Sequence, residues 1–214
     1  PISAQAIVEI LQSPAPANRR NAILSLRNLD PQLSIPLLRK GLLDSDEQVR
    51  IYAQNILADI VGHFEDRIKD LEQAHQDHPE DPQAALRLAE YYYELVYLDV
   101  AGDSDSDAHN LSKALGFLKR AHELAPTSSR TCFLAMKYAL RAADLDEANR
   151  WLTILEEQQF DAIQLMPWRL EIAYLQRDWS ALRTLFSNYD HDADINPRIG
   201  QIGRFWFGHT EATA

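Results

Sequence analysis

Few residues of this chain combine the type and spacing that chemistry requires. Cys132 is its single cysteine. A lone thiol makes no intrachain disulfide. With no histidine near it in sequence, it reads as a packed small residue rather than a nucleophile. There are seven histidines. His75 and His78 lie three apart near a helix end, and Glu123 follows His122 with no second histidine at helical spacing. Zinc hydrolases need two histidines one turn apart around a glutamate, and structural zinc needs cysteine pairs. Neither pattern occurs, so surface histidines and no metal are expected. Asp103-Ser104-Asp105-Ser106-Asp107 alternates acids like the start of a calcium loop. Its sixth position is Ala108, where the turn needs glycine, and its twelfth is Ala114, where a bidentate glutamate belongs. A solvated acidic loop is expected instead. Carboxylate pairs are everywhere on such a surface and carry no catalytic signal. No phosphate-cradling loop and no nucleophile elbow appear. The chain is therefore expected to have no catalytic residue, no cofactor and no direct small-molecule ligand.

What remains is recognition, and composition narrows the partner. The 214 residues are 46% hydrophobic and contain 7 glycines, too few for the turns of a sandwich or a nucleotide-binding sheet. A formal charge of −11 repels phosphate backbones and anionic membranes, so no nucleic acid is expected. No apolar run reaches the roughly 18 residues of a membrane span. The sequence starts at Pro1. It is read as a fragment whose upstream part, with any anchor, is left out.

The elements that must position a binding surface follow from repeats. Ala114, Ala148 and Leu182 recur every 34 residues, and so do Leu118, Leu152 and Phe186, then Ala121, Leu155 and Tyr189. That is the tetratricopeptide period of paired helices. A small residue lets the second helix approach the first, and the bulkier one four positions on fills the groove. Asp144 and Asp178 sit in the turns, where they can cap the second helices. In the first unit, Leu88, Ala89 and Tyr92 take the signature positions of the first helix and Pro126 closes the unit. About thirteen extra residues separate its helices, so that helix is expected to run to about Asp99 before a polar loop. Met136 and Leu170 replace the small residue in the next two units, and Pro167 predicts a late start or a kink. Nearer the N-terminus the step is 31: Arg19 with Arg50, Ala22 with Ala53, Leu26 with Leu57, Leu29 with Ile60. The stretch from Ile35 to Ile60 resembles a HEAT repeat. Asp30-Pro31 and Asp44-Ser45-Asp46 are predicted caps.

These readings predict an all-α fold, an α-α superhelix or right-handed solenoid of HEAT-like and tetratricopeptide hairpins. The expected divisions are HEAT-like repeats over 1–62, a connecting helix over 63–80, three tetratricopeptide-like repeats over 81–195, and a capping helix with tail over 196–214. In such hairpins partners dock on the first helices. The outward positions are predicted to be Gln83, Leu86, Arg87, Glu90, Tyr93 and Glu94 in the first unit. In the second they are Arg130, Phe133, Lys137 and Arg141, and in the third Trp168, Glu171 and Tyr174. Aromatic and arginine side chains commonly anchor interfaces, although Phe133 and Trp168 would equally serve as packing between repeats. Arg130, Lys137 and Arg141 form a basic stripe suited to an acidic partner segment, or else a solvated helix side. Phe205 and Trp206, in an aromatic run with Phe207, belong either to the cap or to a partner contact.

The run LAEYYYELVYLDV, a short spacer, then ALGFLKRAHELAPTSSR resembles the cytoplasmic region of PelE, the repeat-containing component of the bacterial Pel exopolysaccharide machinery. The resemblance covers about residues 81–144 best. It implies membrane helices upstream of Pro1 and a location at the cytoplasmic face of the inner membrane. It also implies a scaffold role toward the cyclic-di-GMP receptor PelD and other synthase or transporter components. Two other readings stand beside it. One is a generic peptide-binding adaptor, such as a chaperone cofactor or secretion assembly factor. The other is a regulatory domain of a larger enzyme.

Overall fold

The computed structural model describes residues 4–98 and 102–189, and these are helical with no strand among them. The chain divides into two units, residues 1–117 and 118–214, with the dividing line inside α6. The first unit holds α1 (Ala4–Ile10), α2 (Pro16–Ser25), α3 (Pro31–Gly41), α4 (Glu47–Asp77), α5 (Pro82–Tyr97) and the start of α6 (Ser104–Leu124). The second holds the end of α6, then α7 (Ser129–Arg141), α8 (Leu145–Glu157), α9 (Ala162–Leu175) and α10 (Trp179–Tyr189).

Local chemistry sets where these helices start. The carboxylates of Asp30, Asp46 and Asp81 accept from the backbone N–H of Gln32, Val49 and Gln83, each satisfying one otherwise orphaned donor. The apolar faces of α2, α3 and α4 then close over Ile23, Leu26, Leu38, Val49 and Ala53, with Ile7 from α1. Gly41 allows the close approach where they meet. A Cβ there would lie 2.6 Å from Ile23 Cδ1 and 3.0 Å from Ala53 Cβ.

The 31-residue step has a structural counterpart. Arg19 Nη1 donates to the carbonyls of Ser13 and Pro14, and Arg50 Nη1 to those of Asp44 and Ser45. Each arginine thus reaches back to the same two turn carbonyls of its own repeat. Arg19 also crosses to the next repeat, with Nε and Nη2 each 2.8 Å from a different oxygen of Asp44. This two-pronged pair is the strong form of a charged hydrogen bond.

The segment predicted as a connecting helix is the C-terminal half of α4, continuous with the repeat helix before it. Its apolar positions Phe64 and Leu71 are buried, which carries the helix on past the repeat. Aromatic side chains join it to its neighbours. Phe64 lies 5.5 Å from Tyr91, Phe117 stacks on Tyr92 at 5.8 Å, and Tyr92 Oη donates to Glu72 at 2.8 Å. Burial, then the Glu72 carboxylate, pushes the Tyr92 phenol well above its ordinary value.

Helix α5 ends at Tyr97, close to the expected end near Asp99. One expectation for this region is corrected. The acidic run is not a loop but the first turn of α6, from Ser104 onward. Asp103 accepts from the Ser106 N–H, and Asp105 and Asp107 sit where the helix dipole favours negative charge. That local gain explains why the run is helical.

In the second unit the helices reverse by a repeated device. Ala143, Gln159 and Arg177 adopt φ of 57°, 56° and 58°. The next N–H reaches back each time: Asp144 to Ala139, Phe160 to Leu155, Asp178 to Ala173. These are left-handed helix ends built without glycine. Ser128, Asp144, Asp161 and Asp178 cap the helices that follow. Helix α9 starts at Ala162 and runs through Pro167, so the proline delays nothing. The aligned positions Ala148 and Leu182, Leu118 and Leu152, and Ala121 and Leu155 are all buried, as is Ala114 in the first unit.

Candidate functional site

Two of the predicted outward side chains meet across helices. Phe133 on α7 lies edge-on to Trp168 on α9, with ring centroids 5.7 Å apart, and stacks on Phe160 at 5.6 Å. Lys137, one turn after Phe133, holds its Nζ 6.0 Å from the Phe133 centroid and 5.7 Å from that of Trp168. All four side chains are half-buried. Spacing alone could not place Phe160, which enters from the turn before α9. The aromatic group is thus both packed between helices and partly open to solvent.

The basic stripe is modified by this packing. Its central charge, Lys137, rests on aromatic faces, an attraction worth about 0.5–1 kcal/mol at exposed sites. Arg130 and Arg141 flank it and are exposed. Tyr174 is also exposed and meets Trp179 edge-on at 6.1 Å, outside the Phe133 group. Glu171 is exposed on the same helix. The chemistry on offer is a set of aromatic faces flanked by guanidinium groups. It suits a carboxylate-bearing segment with an apolar anchor.

The predicted positions on α5 fare less evenly. Gln83 and Arg87 are exposed, and Arg87 pairs with Asp81 at 3.6 Å. Glu90 and Tyr93 are half-buried and engaged within the chain. The Glu94 carboxyl is pushed up by partial burial, with Asp30 a smaller cause. Leu86 is not outward: at 3% exposure it belongs to the core, because α5 buries two adjacent faces and not one stripe. Phe205 and Trp206 lie outside the described residues.

Cys132 acquires a neighbour that its sequence surroundings did not reveal. Nδ1 of His122, on α6, lies 3.4 Å from its Sγ, and the His122 ring stands edge-on to Trp151 at 4.9 Å. A thiol beside an imidazole is the start of a nucleophilic pair, but here the thiol is fully buried. Burial pushes the thiol up, away from the thiolate that attack requires. Folded chain is therefore expected to react with a thiol reagent roughly a hundredfold or more slowly than urea-unfolded chain. Equal labelling rates would contradict the packing.

Among the described residues no group of three or more His, Cys, Asp or Glu could hold a metal ion. No described helix is long and apolar enough to cross a membrane.

The geometry defines an all-α protein built of repeated helix hairpins. Residues 4–89 match the family model of HEAT repeats, so that part of the chain is similar to a repeat type that generally mediates protein–protein interaction. The match extends through the whole of α4 and into α5. No curated protein matches the chain.

Proposed function

We propose that this chain is a non-catalytic scaffold that assembles a bacterial exopolysaccharide synthase and export complex of the Pel type. Its partners in that reading are the cyclic-di-GMP receptor PelD and other components of the complex. The observation that carries the scaffold reading is the partly open aromatic group of Phe133, Phe160 and Trp168 flanked by Arg130 and Arg141. It is the kind of surface a protein partner's acidic, apolar-anchored segment would cover. The Pel assignment rests on the resemblance of α5 and α6, YYYELVY followed by ALGFLKRAHELAP. In this reading the hairpins from residue 81 to 195 are tetratricopeptide-like units following HEAT-like repeats over 1–62. The chain would work at the cytoplasmic face of the inner membrane, held there by segments upstream of Pro1.

The test is affinity capture from a Pel-producing bacterium with the full chain as bait, using membrane and soluble fractions. Recovery of PelD is the expected result, and recovery of no Pel component overturns the assignment. Reversal of Arg130, Lys137 and Arg141 to glutamate should weaken capture roughly tenfold or more. Unchanged capture by that triple variant removes the α7–α9 surface as the interface.

A further inference from the structure

The first unit also carries a groove. It lies between α4, the end of α5 and the start of α6, with a volume of about 420 Å³. That is within the range of ligand-sized clefts, roughly 300–1,000 Å³. Val61, Phe64 and Ile68 line it from one stripe of α4, and Leu95 lines it from α5. Phe64 is fixed against Tyr91, so this apolar wall is formed in advance. Glu65 and Asp105 add two exposed carboxylates on opposite helices, and His109 is the remaining titratable group. No lysine or arginine lines the groove among the described residues.

We propose that this groove docks a cationic amphipathic segment of a partner protein, inserting aliphatic side chains between α4 and α6 while its lysines or arginines pair with Glu65 and Asp105. Charge complementarity selects that occupant. An acidic segment would meet like charge at the rim and on a chain of net −11. An uncharged apolar molecule would leave both carboxylates unused. Lysine and arginine fit twice over, since their aliphatic stems cover apolar wall while the charged ends stay at the solvent edge. The inference rests on the scaffold reading and extends it. The α7–α9 surface is cationic and aromatic and this groove is acidic and apolar, so the two units would take partners of opposite charge.

The test uses the full chain and a fluorescein-labelled helical peptide with one leucine face and one lysine face. Fluorescence anisotropy should show binding, and methyl resonances of Val61, Ile68 and Leu95 should shift on titration. Glu65→Lys with Asp105→Lys should weaken binding roughly tenfold or more. Asp70→Lys with Glu80→Lys changes net charge equally outside the groove and should have a much smaller effect. Equal weakening by both pairs would reduce the interaction to general charge attraction and overturn the proposal. So would equal binding of a leucine–glutamate peptide, or methyl resonances that stay put in the unaltered chain. Self-association of the chain that Glu65→Lys abolishes would make a second copy the occupant, and would also overturn it. None of these results depends on whether PelD is captured, so the two readings fail separately.

Discussion

Replacing Leu155 by alanine is expected to lower the unfolding free energy by about 2–5 kcal/mol. Leu155 is fully buried in α8. That helix packs against α7 before it and α9 after it, so the lost methyls leave a cavity that no single helix can collapse to fill. Its carbonyl also accepts the Phe160 N–H that closes the left-handed end of α8. Any tilt of the helix would disturb that turn and the placement of Phe160 against Phe133. Leu43→Ala is the contrast. That side chain is 87% exposed and should change stability by no more than about 0.5 kcal/mol. Urea denaturation of both variants measures the difference, and a Leu155→Ala midpoint equal to that of Leu43→Ala would refute the packing.

The second large effect is at the pair that ties the two N-terminal repeats together. Arg19 and Asp44 have side-chain exposures of 11% and 13%, whereas those of Arg27 and Asp59 are 61% and 52%. Asp44→Asn should therefore destabilise the chain at neutral pH more than Arg27→Ala does, since the exposed pair gains little over solvent. The effect has a pH signature. The hydrogen bond from Arg19 holds the Asp44 carboxyl below its ordinary value, more strongly than desolvation raises it. A carboxylate depressed by folding contributes stability that is present above its unfolded value, about 3.9, and lost as pH falls through the lower folded value. The unaltered chain should lose stability in that acid window more steeply than Asp44→Asn. Urea midpoints measured from neutral pH downward test this, and parallel profiles for the two proteins would count against it.

Much of the fold could be read from residue types because its causes are local. A carboxylate before a helix satisfies backbone donors within three residues, so Asp30, Asp46, Asp144 and Asp178 identified their helix starts. The burial pattern at Ala148, Leu152 and Leu155 follows from the spacing of small and bulky residues on one helix face. Local reasoning also misled. Asp103 to Asp107 read as a loop by composition, yet acids at a helix start are favoured by its dipole. Leu86 read as outward from an idealised register, yet α5 buries a wider arc than one stripe and takes Leu86 into the core.

The sequence by itself determined the helical class, the caps at Asp30, Asp46, Asp144 and Asp178, the two repeat steps and the absence of motifs for metal or nucleophilic chemistry. Each of these depends on residues within a turn or two of one another. Only the tertiary structure decided the pairing of Arg19 with Asp44, the burial of Cys132 beside His122, the meeting of Phe133 with Trp168 and Phe160, and the acidic groove over Phe64. Those contacts join residues from different helices and from the turns between them. Their geometry depends on how closely the helices approach, which is set by the summed shapes of many core side chains and by no single spacing.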